Sequence, residues 1–94
     1  MDFEWDENKD EENQRKHGIA FREAAEIFRG FTIKTEDTRR DYGERRFIAL
    51  GEYDREVIRV VFTERDDNIR IISAWKANRN DRKAYQKARA HRQV

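Results

Sequence analysis

Asn68-Ile69-Arg70-Ile71-Ile72-Ser73-Ala74-Trp75-Lys76-Ala77-Asn78 is the most apolar and β-branched run in a very polar chain. Such a composition favours a strand. Alternation places Arg70 with Ile72 and Ala74 on one face, opposite Ile69 and Ile71. Basic residues are threaded through the run, which leads straight into a basic segment from Arg79 onward. A strand that divides its side chains between a core and a charged surface is a common place for a small domain to carry working residues.

The rest of the composition suits one small α+β domain spanning residues 1–94. Charged residues make up 44% of the chain, against about 25% in an average globular protein. The charges nearly cancel, with 21 basic against 20 acidic residues, and there are two Trp, three Tyr and six Phe. That balance argues for a folded domain with a thin core rather than for disorder. There is no cysteine, and His17 and His91 show no ligand spacing. The expectation is therefore a cytoplasmic protein without cofactor or structural metal. No apolar run approaches the roughly 20 residues of a membrane span, so no membrane partner is expected. Charge is unevenly spread, with acidic residues concentrated in 2–12 and basic ones in 76–92.

Outward from the key strand, the chain reads as ααββββα. Phe3-Glu4-Trp5 is a brief extended segment. Asp6 is a good N-cap for a helix to about Lys16, with Gly18 placed for left-handed closure. Phe21, Ala24, Ala25 and Phe28 carry the i, i+3, i+4, i+7 pattern of a second helix, although Ala20 is a poor N-cap. Strands follow at Phe31–Thr35, Arg46–Leu50, Val57–Thr63 and Ile69–Trp75, separated by a polar loop at Asp37–Gly43 and turns at Tyr53–Glu56 and Arg65–Asn68. Turn signals at this spacing favour a four-stranded antiparallel meander. Asn78 then caps a last helix over Arg79–Arg89, with residues 88–94 expected to fray.

Phe3-Glu4-Trp5-Asp6, Lys16-His17-Gly18 and Phe21-x-Glu23-Ala24-Ala25-x-Ile27-Phe28 closely resemble the start of BrnT-family toxins. Arg46-Phe47-Ile48-Ala49-Leu50-Gly51 and Arg70-Ile71-Ile72-Ser73-Ala74 resemble two strand signatures of the same family, so the likeness spans about residues 3–85. The resemblance implies a RelE-like fold and a toxin of a type II toxin–antitoxin pair. Such a toxin cuts RNA and arrests translation. It is neutralised by a cognate BrnA-like antitoxin with a ribbon-helix-helix part, as a hetero-oligomer that meets promoter DNA only through the antitoxin. The chain departs from the family at Trp75, where members usually carry an arginine thought to contribute to activity.

RNA cleavage without a metal needs a group to take the 2′-OH proton, cations on the phosphate, and a surface that holds a base. The chain is rich in arginine and poor in general bases, which suits cationic stabilisation. Arg70, His17, Lys16 and Glu64 are the catalytic candidates. Arg70 would be a phosphate-facing cation, His17 an acid or base, Lys16 a phosphate contact, and Glu64 a carboxylate orienting an arginine. Trp5, Arg46, Trp75, Lys76, Arg79, Arg82 and Lys83 are the candidates for holding RNA, by stacking or by neutralising phosphates. Each has a plainer alternative. Trp5 serves equally as a wedge on the first helix, Trp75 as a core residue, His17 and Lys16 as C-terminal capping groups, and the remaining charges as a solvated surface. Alternation sets Lys76 opposite Trp75. The functional alternative to a nuclease is a binding module that no longer cleaves and acts mainly as partner of a DNA-binding repressor.

Overall fold

The computed structural model describes residues 2–92. Its order is β1 (Phe3–Glu4), α1 (Glu7–His17), α2 (Phe21–Ala25) continued by a 3₁₀ turn (Glu26–Arg29), β2 (Thr32–Asp37), β3 (Arg46–Tyr53), β4 (Glu56–Arg65), β5 (Asn68–Lys76) and α3 (Arg79–Arg92). The sheet has five strands in the order β1-β5-β4-β3-β2. β2 to β5 form the expected antiparallel meander.

The four-stranded expectation is corrected at one edge. Phe3-Glu4 is more than a short extended lead-in, because it pairs parallel to β5 with Phe3 opposite Ile69 and Glu4 opposite Arg70. The physical reason is the edge of β5, whose bare N–H and C=O groups need cover. Further along the same edge, the buried Asn13 side chain of α1 takes over. Its Nδ2 donates to Ala74 O at 2.8 Å, and its Oδ1 accepts from Ala74 N at 3.2 Å.

Both hairpin turns are two-residue connections. Asp54 and Arg55 have φ of 49° and 68°, and Asp66 and Asp67 have 48° and 70°. Two successive left-handed residues match the twist of the flanking strands. Local caps form as the residue types dictate. Asp6 accepts from Asn8 N at 2.8 Å, Gly18 closes α1 at φ 70°, and Asn78 accepts from Asp81 N at 2.8 Å. Ala20 has no cap oxygen to offer, and α1 supplies one instead: Asp10 accepts from Phe21 N at 2.8 Å. α3 is helical to Arg92, past the onset of the expected fraying, while residues 93 and 94 lie outside the described residues.

The sheet is covered on both faces. On one, Phe21, Ala24 and Ile27 pack against Phe47, Ala49, Ile58, Val60, Phe62, Ile69, Ile71 and Ala74. On the other, Tyr85 of α3 packs with Leu50, Val57 and Ala77, against Phe31 and Ile33. A β-bulge decides which β5 residues belong where. Val61 pairs with Ser73 but Phe62 with Ile71, so Ile72 is an extra residue. Simple alternation through Ile72 therefore fails. Ala74 joins Ile69 and Ile71 in the core, and Trp75 moves to the face that carries Arg70.

Candidate functional site

The α3-bearing face of the sheet is only partly covered by that helix. Beyond Leu50 and Val57, alternation along the strands brings up Ile48, Val61, Arg59 and Thr63. Ile48 and Val61 are buried, at 8% and 4% exposure, though they belong to neither helix-packed cluster. Arg46, Arg59, Arg70, Ser73 and Trp75 lie on the same face around them. The result is a small apolar floor bordered by three guanidinium groups, a hydroxyl and an indole.

Each of these arginines has a carboxylate neighbour, at very different strengths. Arg59 Nη1 reaches both Asp81 oxygens, at 3.1 and 3.2 Å, from the first turn of α3. Its guanidinium carbon also lies 5.9 Å from the Trp75 ring, its cross-strand partner. Arg70 stands 3.9 Å from Glu4 and Arg46 stands 3.8 Å from Glu44, both outside hydrogen-bonding distance. Arg70 and Arg46 are thus oriented but not saturated.

Arg46 is set by the loop between β2 and β3. Its guanidinium carbon sits 4.2 Å from the Tyr42 ring centroid. Its Nε is buried and makes no hydrogen bond among the described residues. Tyr42 is held in turn, its hydroxyl donating to Asp37 at 3.0 Å. Asp37 also accepts from Arg39 Nε and Nη2 at 2.8 Å each and from Arg39 N at 3.2 Å. Those Arg39 hydrogen bonds, against the opposing effect of burial, hold the Asp37 carboxyl well below the usual carboxylate range.

The C-terminal end of α1 borders the face at β5. His17 stacks obliquely beside Trp75, with ring centroids 5.7 Å apart. Lys16 pairs with Glu12 one turn back. Between α1 and the bulge lies an open cleft of about 230 Å³, lined by Lys9, Glu12, Asn13, Lys16, His17, Ile72 and Ser73. Arg70, Arg46, Trp75, His17 and Lys16 therefore fall around one surface, although they come from three separate stretches of sequence.

Other candidates fall elsewhere. Trp5 lies on the opposite side of the sheet, edge-on to Phe21 at 6.3 Å and donating to Glu7 at 3.1 Å, which is the wedge arrangement. Glu64 points to that opposite face too and accepts from Lys34 Nζ at 2.8 Å, so it orients a lysine and no arginine of the site. Lys76 pairs with Glu56 at 3.4 Å and lines a cavity beside Gly18 and Ile58, again on the helix-covered side. On α3, Arg82 is tied to Ala77 O at 2.9 Å, while Arg79 and Lys83 are exposed next to the face.

Arg59, Tyr42 and Asp37 were missed in the sequence. Arg59 is a single charge inside Val57-Ile58-Arg59-Val60-Val61-Phe62, and its position inside a core-like strand was the available signal. Asp37 and Tyr42 sat in a charge-rich loop that read as solvated. Among the described residues, no group of three His, Cys, Asp or Glu side chains is arranged to hold a metal, and no helix is long and apolar enough to cross a membrane.

A family profile described as "Ribonuclease toxin, BrnT, of type II toxin-antitoxin system" matches residues 5–81. No curated protein matches the chain.

Proposed function

Since the chain belongs to the BrnT family, the ribonuclease toxins of type II toxin–antitoxin systems, we propose that it is a metal-independent endoribonuclease whose active surface is the exposed α3-bearing face of the sheet. The observation that carries this is the convergence of Arg46, Arg59 and Arg70 around the floor of Ile48 and Val61, with His17 beside Trp75 at its border. The single-domain chain would act in the cytoplasm.

Cleavage would proceed by attack of the ribose 2′-oxygen on the adjacent phosphorus, breaking the bond to the 5′-oxygen. The 2′-OH proton passes to a base, and the departing 5′-oxygen takes up a proton. His17 is the side chain suited to move those protons. Arg70 and Arg46 have hydrogen-bonding capacity left for phosphate oxygens, whose charge grows in the transition state. Trp75 offers a π-face to a base, and Arg79 and Lys83 extend the cationic path along α3. Arg59 lies directly across from Trp75, so a guanidinium still stands next to the position where relatives usually carry arginine.

The partner would be a BrnA-like antitoxin with a ribbon-helix-helix part. It would cover the cationic face, stop cleavage and translation arrest, and link the hetero-oligomer to promoter DNA. A second reading, motivated by Trp75, is an RNA- or protein-binding module that no longer cleaves. Purified protein incubated with RNA in EDTA separates the two. Cleavage that survives chelation and falls at least about 100-fold in Arg70→Ala is expected. Intact RNA with binding retained establishes the second reading instead.

A further inference from the structure

We infer that Tyr42 is a positioning residue that presents Arg46 to an RNA phosphate, and that buried Asp37 anchors it. The inference rests on the proposed RNA-binding face and adds to it the loop between β2 and β3.

Asp37 is one of three buried polar residues among the described residues, at 5% exposure, and its oxygens accept four hydrogen bonds from Arg39 and Tyr42. An Arg39 fork closes two of them in the bidentate geometry that suits a carboxylate. The Tyr42 hydroxyl, the fourth donor beside these two and Arg39 N, fixes the direction of the Tyr42 ring. That ring lies against the Arg46 guanidinium at 4.2 Å, within the range of a cation–π contact.

A long arginine ordinarily loses considerable rotamer freedom on binding a ligand. Here the plane of Arg46 is set before RNA arrives. Glu44 Oε2, at 3.8 Å from Arg46 Nε, is too far to satisfy that donor, and the other Glu44 oxygen, Oε1, accepts from Arg65 at 3.0 Å. With Nε buried, it is the Nη donors of this partly exposed guanidinium, already stacked on a ring and making no hydrogen bond among the described residues, that give a preorganised contact for a phosphate oxygen.

The test is binding of a 2′-O-methyl RNA oligonucleotide, which cannot be cleaved, titrated at several salt concentrations. One lost phosphate contact on single-stranded RNA lowers the slope of log K against log salt by about 0.7. Arg46→Ala is expected to show that decrement. Tyr42→Leu, which keeps bulk but removes the π-face, is expected to show the same decrement without touching RNA itself. Tyr42→Phe keeps the π-face but loses the hydroxyl that Asp37 holds, and is expected to show a smaller decrement of the same sign. The double variant Arg46→Ala/Tyr42→Leu should match either single variant, because both act through one contact.

A wild-type slope in Tyr42→Leu overturns the inference, as does a double variant that loses the sum of both effects. The proposed nuclease reading fails separately, if the wild type leaves natural RNA intact while this slope pattern holds. Absence of any salt-dependent binding by the wild type overturns both.

Discussion

Asn13 offers the sharpest test of how the site is held together. Its side chain is buried at 6% exposure and makes three hydrogen bonds, to Ile19 O at 2.9 Å and to the O and N of Ala74 at 2.8 and 3.2 Å. It therefore fastens α1, which ends in Lys16 and His17, to the strand position just before Trp75. Asn13→Ala leaves those three backbone groups without their partner. At about 1 kcal/mol net per bond, and with water able to reach part of the opened edge, the expected loss is about 2–3 kcal/mol. In a domain of this size that lowers the melting temperature by roughly 10–20 °C.

Asn13→Asp gives a more specific signature. The atom replacing Nδ2 would face two carbonyl oxygens, so the ionised carboxylate is disfavoured in the fold and its folded pKa rises above the unfolded value of about 3.9. Between those two values the folded state binds the extra proton, so stability increases as pH falls. The variant should thus lie furthest below wild type at neutral pH and recover part of the difference toward about pH 4. Thermal melts of both proteins across that range make the comparison. Parallel profiles, or an Asn13→Ala loss within about 0.5 kcal/mol as for an ordinary surface change, would refute the assignment of Asn13 as the clamp between α1 and β5.

Further outcomes follow from other contacts. A Cβ at Gly51 would meet Ile27 Cβ at 2.6 Å and Thr32 Cγ2 at 3.1 Å, so Gly51→Ala should cost about 1–3 kcal/mol by overpacking, measured by urea unfolding. Asp37, held low by its Arg39 hydrogen bonds, contributes stability that is fully present above the unfolded value and is lost as pH falls below about 4. Asp37→Asn should accordingly lie below wild type at neutral pH and converge with it on acidification, and a constant offset in acid melts would contradict this. A double-mutant cycle on Arg59 and Asp81, whose side chains are only 20% and 17% exposed, should return a coupling of about 1–2 kcal/mol. The exposed Lys76–Glu56 pair at 3.4 Å should return no more than about 0.5 kcal/mol, and equal couplings would show that burial is not what distinguishes them.

What could be read from the sequence was local. Asp6, Gly18 and Asn78 declare helix ends because capping depends on one side chain and its nearest backbone. The meander followed from turn residues flanking β-branched runs. β1 was not legible as part of the sheet, since two residues carry little pattern and their partner, Ile69-Arg70, is remote in the chain. The substitute cap on α2 was hidden for the same reason, because Asp10 belongs to another helix. In the site, Arg70 and Arg46 stood out at strand ends, whereas Arg59 was masked by its apolar neighbours. Glu64 was misassigned because a carboxylate after a strand does not reveal which face it will take, and that face holds Lys34.

The bulge at Ile72 decides which β5 side chains reach the proposed RNA-binding face. In a regular strand, Trp75 would share the core with Ile69 and Ile71, and Lys76 would share the open face with Arg70. With one residue inserted, Trp75 comes to the open face beside Arg59 and His17, and Lys76 turns toward Glu56 on the far side. Trp75 therefore offers a stacking surface on the open face, instead of adding one more apolar side chain to the core. The remaining cations differ in how freely they can respond to RNA. Arg46 and Arg70 stand 3.8 and 3.9 Å from their carboxylates and can take a phosphate without first breaking a hydrogen bond, whereas Arg59 is committed to Asp81 on α3. RNA engaging Arg59 must compete with the contact that docks α3 on the sheet. Asp81→Asn should consequently strengthen binding of uncleavable RNA while loosening α3, an opposition that a purely structural Arg59–Asp81 pair would not produce.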